Sequence, residues 1–92
     1  MAQNHKEQVV ARLRSIEGHV RGVARMVEEE AYCIDVIKQT LAIIKAVDKL
    51  NAVILDNHLN TCVTTAIRSD NPTDRERVIK ELLEIFETSG KL

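Results

Sequence analysis

The chain has 92 residues, a net charge of −1, and an apolar share of 45% carried by Ala, Val, Ile and Leu, with one Tyr, one Phe and no Trp. So short a chain is at most one thin domain, here residues 1–92, and a second copy is a common way to complete its core. The balance of charge does not by itself point to nucleic acid, and no apolar run nears the ~18 residues of a membrane span.

The first twenty residues lack the apolar core of a signal peptide. The chain therefore reads as cytoplasmic, with no membrane partner. Its two cysteines read as reduced thiols, better suited to metal binding or reactivity than to a structural disulfide.

In chain order, Val9, Leu13, Ile16, Val20, Val23 and Val27 follow steps of 4 and 3, a heptad stripe. It predicts a first helix over about 4–28 with Asn4 as its N-cap. Gly18 and Gly22 stand inside it, each costing up to ~1 kcal/mol against Ala, a pair suited to close approach of another backbone. Glu28, Glu29 and Glu30 close the segment as a solvated run. From Ala31 to Asp70 there is neither Gly nor Pro, and apolar residues recur from Ile34 through Leu41, Val47 and Leu59 to Ala66. The spacing predicts one helix over about 31–69, roughly 55–60 Å long at 1.5 Å per residue. A helix of that length cannot be covered by its own chain, so it must pack on another copy. Asn71-Pro72 marks a turn, and Thr73 with Glu76 forms a capping-box pattern opening a third helix over about 74–88. The fold class expected is all-α, three helices in the order short, long, short, with no helix-turn-helix recognition unit.

The chemistry is concentrated in Cys33, His58 and Cys62. His58 and Cys62 are four apart, which on an α-helix puts them on one face a turn apart, a common bidentate ligand spacing. Taken alone, the pair is weak evidence, and the bland reading of Cys62 as a small buried hydrophobe outweighs it. Cys33 lies 25 residues earlier on the same expected helix, some 37 Å away at 1.5 Å per residue, so one chain cannot bring the three together. An antiparallel pair of helices about a two-fold axis near Ala46 and Val47 can do so, with Ala42 and Ala46 small enough for close approach. Two thiolates and an imidazole are a soft, low-coordinate set that suits Cu(I) better than a structural zinc with its four ligands. No carboxylate at general-base spacing, Gly-rich loop, serine-nucleophile motif or HExxH accompanies them, so an enzyme is not expected.

The stretches 12–39 (RLRSIEGHVRGVARMVEEEAYCIDVIKQ), 56–67 (DNHLNTCVTTAI) and 79–86 (IKELLEIF) resemble the CsoR/RcnR family of metal-sensitive repressors, on its copper-sensing branch, over essentially the whole chain. The resemblance implies an antiparallel helical dimer, assembled as a dimer of dimers, that binds operator DNA without a helix-turn-helix and is released when Cu(I) binds. It carries the metal-ligand role to Cys33, His58 and Cys62, and matches Tyr32 and Glu81 to the residues that stand behind the ligands. Helical position alone makes those two an ordinary amphipathic tyrosine and a solvated carboxylate. Arg12 and Lys49 fall where the family has basic residues implicated in operator binding. Nickel- and cobalt-type members resemble a His-Cys-His-His set, with an N-terminal histidine that His5 is four residues too late to match. Formaldehyde-type members lack the second cysteine, and persulfide-type members lack the histidine. All three copper-type ligands are present here.

Arg14, Arg21 and Arg25 follow the spacing i, i+7, i+11, within about 40° of one another on a helix, and Lys38, Lys45 and Lys49 repeat it. Residues 6–27 carry a local excess of three positive charges. Two such stripes can track phosphates, although basic stripes on exposed helix faces are routine. Arg12 sits beside the apolar seam, where its stem can pack, and His19 borders the seam as a half-buried packing residue. The competing functions are the same fold sensing nickel or cobalt, formaldehyde or persulfide through its thiols, and a copper-binding bundle that does not touch DNA.

Overall fold

A computed structural model describes residues 3–89. Among them every regular element is helical: α1 (Gln3–Glu28), α2 (Cys33–His58), a π-turn (Leu59–Val63), α3 (Thr64–Arg68) and α4 (Pro72–Ser89). The chain forms two compact units, one ending at Asn57 and the other beginning at His58.

Asn4 lies inside α1 rather than capping it, because no breaker separates it from Gln3 and the helix simply continues upstream. At the other end of α1 the chain reverses through a Schellman motif. The Ala31 amide donates to the Met26 carbonyl at 2.9 Å and the Glu30 amide to that of Val27 at 3.0 Å, capping carbonyls that the helix end would otherwise leave free. Glu30 takes the left-handed conformation, φ 58°, at the position glycine usually fills. This motif uses residues 30 and 31, so the second helix starts at Cys33 and not at Ala31 as its periodicity predicts. The Tyr32 carbonyl receives the Val36 amide at 3.2 Å, and Asp35 in the first turn complements the positive end of the helix dipole.

The heptad stripe of α1 divides in two. Val9, Ile16 and Val23 turn inward, with Val9 and Val23 6% and 8% exposed, whereas Leu13, Val20 and Val27 remain 48–59% exposed. On α2, Leu50 is buried and Val36 and Ile43 half-buried at the same seven-residue period. Ile34, Ile37, Leu41 and Ile44 form a second stripe left 46–51% exposed. His19 is half-buried as expected, and its Nε2 bonds Gln39 Oε1 across the two helices at 2.8 Å. A side chain at Gly18 or Gly22 would meet nothing within 4 Å, so no backbone of the same chain uses the space these glycines leave.

The expected helix over 31–69 is not uniform. After His58 it passes through five residues of π geometry before resuming as α3. It ends where Ser69 turns extended, ψ 155°. Helix α4 opens two residues earlier than its capping-box pattern predicts. Asn71 Oδ1, not Thr73, is the cap, accepting the Thr73 amide at 2.9 Å. Pro72 then occupies the first helical position, where its missing N–H costs nothing and its fixed φ is already helical. The unit from His58 onward has its own small core of Val63, Ala66 and Val78 with Leu82 packed against it.

Candidate metal centre and basic face

Cys33 stands in the first turn of α2, and His58 is its last residue. Cys62 is carried by the π-turn, for which His58 is the preceding residue with helical φ and ψ. Both thiols are free and exposed, and the imidazole is half-buried. The same-face placement expected for His58 and Cys62 on an α-helix is therefore modified. A π-turn bonds i to i+5, so the pair straddles a change of helical register.

Two threonines attend this turn. The Thr61 hydroxyl donates to Cys62 Sγ at 3.7 Å, and the Thr64 hydroxyl donates to the Leu59 carbonyl five residues back. Sequence reasoning passed over both. The available signal was the cluster of threonines at 61, 64 and 65 directly around Cys62.

Among the described residues no group of three or more His, Cys, Asp or Glu side chains is gathered to hold a metal. Tyr32 presents a side chain 70% exposed, and Glu81 is engaged by Arg77 at 2.9 Å. Of the cations singled out, Arg12, Arg14, Arg25, Lys38, Lys45 and Lys49 are all exposed. Arg21 is exposed too but lies 3.6 Å from Glu17; a solvated pair of this kind is weak and leaves the guanidinium able to exchange partners. No described helix is long and apolar enough to cross a membrane.

A family model described as metal-sensitive transcriptional repressor matches residues 5–88. The chain belongs to this family. Among curated relatives, it is 38% identical over 90 residues to the copper-sensing transcriptional repressor CsoR of Bacillus subtilis, covering 98% of this chain and 86% of the relative. Among solved structures, the Cu(I) form of the copper-sensing repressor CsoR from Geobacillus thermodenitrificans superposes with a TM-score of 0.89 at 36% identity, over 99% of this chain and 92% of that one. The nickel-responsive transcriptional regulator InrS superposes with a TM-score of 0.75 at 40% identity, over 87% and 90% of the two chains. Membership in the metal-sensitive repressors thus takes in all of the elements that carry Cys33, His58, Cys62 and the basic stripes.

Proposed function

We propose that the protein is a copper(I)-responsive repressor that binds operator DNA without metal and leaves it when Cu(I) occupies sites built from Cys33 of one copy and His58 and Cys62 of another. The observation that carries this reading is the donor set itself: two free, exposed thiols and one imidazole in a chain of the metal-sensitive repressor family. Thiolates select soft ions, and three such donors satisfy a low-coordinate Cu(I) while leaving zinc a ligand short.

Helix length supports division of the site between copies. The 26 residues of α2 at about 1.5 Å each leave its ends about 37 Å apart, whereas metal–ligand bonds are about 2 Å. A homodimer in which α2 runs antiparallel to its counterpart brings the ends together and covers the stripe from Ile34 to Ile44. Two dimers then make a homotetramer. Tyr32 and Glu81 stand behind the ligands. Arg12, Arg14, Arg21, Arg25, Lys45 and Lys49 supply the phosphate contacts, and the protein acts in the cytoplasm. The likeness to a nickel-responsive regulator makes Ni(II) the competing inducer.

Binding of the protein to DNA from upstream of its own coding region, titrated with Cu(I) and in parallel with Ni(II), tests the reading. Cu(I) releases the wild-type protein, and Cys33→Ala keeps its DNA affinity but is no longer released. Release by Ni(II) alone, or normal release of Cys33→Ala by Cu(I), contradicts it.

A further inference from the structure

Two backbone features meet at Cys62. The helix changes from α to π register immediately after His58, and Cys62 is the fourth of the five π residues. A π-turn is a local departure from the favoured helical register and recurs at functional sites, so something must hold it. The Thr64 amide bonds back three residues, to the Thr61 carbonyl, and its hydroxyl bonds back five residues, to the Leu59 carbonyl. In an α-helix a threonine hydroxyl returns to a carbonyl three or four residues earlier. A reach of five spans the whole π-turn from its last flank to its first residue.

We propose that Thr64 is a positioning residue for the metal pair: its hydroxyl holds Leu59–Val63 in π register and so fixes the direction in which Cys62 stands relative to His58. The inference rests on the reading of His58 and Cys62 as ligands. Register matters because residues four apart share a face on an α-helix, and one extra residue in the turn changes the angle between the His58 and Cys62 side chains. A two-point ligand pair senses this angle directly, whereas an isolated thiol would not. Thr64 is half-buried and next but one to Cys62, so its hydroxyl acts through the backbone and not as a ligand. The exposed Thr61 hydroxyl, 3.7 Å from the sulfur, is the contrasting case, touching the thiol without spanning the turn.

The test compares Thr64→Val, which keeps shape but removes the hydroxyl, with Thr64→Ser, which keeps the hydroxyl. Cu(I) affinity is read by competition with a chelator, and the thiolate-to-metal absorption by ultraviolet spectroscopy. Thermal midpoints of the metal-free proteins and Cys62→Ala run as controls. Thr64→Val is expected to bind Cu(I) about 10- to 100-fold more weakly, the usual cost of losing a group that orients a ligand, with an altered absorption. Thr64→Ser is expected to match the wild type. Should Thr64→Val fail to fold, Thr64→Ala, a stronger helix former, makes the same comparison. Equal affinity of wild type and the hydroxyl-free variant overturns the role of Thr64, as does equal weakening of the serine and valine variants. If wild-type and Cys62→Ala proteins bind Cu(I) alike, the ligand reading itself fails, and the inference with it.

Discussion

Up to Asn57 the chain is two long helices whose apolar faces are half used: Val9 and Val23 are buried, while Leu13, Val20 and Val27 on the same heptad stripe, and Ile34 to Ile44 on α2, stay exposed. From His58 on, shorter helices enclose a core of their own around Val63, Ala66 and Val78, and the helix that enters this unit changes register as it does so. The first unit carries Cys33, the cationic stripes and large apolar surfaces that another copy can cover. The second carries the other two candidate ligands on locally supported backbone. The contrast is between long helices whose apolar stripes are half exposed and a small core closed within the chain, beside which Leu83 and Phe86 of α4 also stay exposed.

The largest expected effect comes from attacking association. Leu41→Glu places a carboxylate in the exposed stripe of α2. Burying it unpaired costs several kcal/mol, and each ~1.4 kcal/mol is a factor of ten, so the dimer dissociation constant should rise by at least about 100-fold. Sedimentation across a concentration series measures it, and an unchanged assembly would mean that the stripe is not the contact. Val78→Ala attacks the other region. Val78 is 2% exposed, and losing two methyl groups with the cavity left behind costs about 2 kcal/mol. Denaturant unfolding should show that loss while the oligomeric state is preserved. If Val78→Ala dissociates the protein and Leu41→Glu does not, the two regions have been assigned the wrong way round.

A smaller effect sharpens the boundary of the second unit. Asn71→Ala removes the side-chain cap of α4 and should cost about 1 kcal/mol. Thr73→Ala, one residue inside the helix, should cost less. The opposite order would restore the capping box that the sequence alone suggests.

How far the fold was legible can be read from the same residues. The stripe from Val9 to Val27 marks an amphipathic helix correctly, but periodicity identifies a face and not how many neighbours share it. Its division into covered and exposed halves was therefore invisible. Nothing at Glu30 signals a left-handed conformation, since the residue that normally does so is glycine, and periodicity therefore places the start of α2 two residues early. Asn71 and Thr73 are both competent caps, and the preference of Pro72 for the first helical position decides between them. The π-turn was hidden because an extra residue within a helix leaves the composition unchanged. The candidate ligands stood out through residue type and spacing, whereas Thr61 and Thr64 act through hydrogen bonds that exist only once the turn is formed.

The central claim, that each metal site is completed by two copies, is tested most directly by mixing two incomplete proteins. Cys33→Ala lacks one ligand, and the double variant His58→Ala/Cys62→Ala lacks the other two, so neither alone has a complete site. Refolded together they form some heterodimers, in which Cys33 of the double variant meets His58 and Cys62 of the single variant, while the opposite site has none of the three. Titration of the mixture with Cu(I) against a competing chelator should recover one tight site per heterodimer. Absence of tight binding despite demonstrated subunit exchange would contradict the antiparallel arrangement, since a site confined to one chain predicts no rescue.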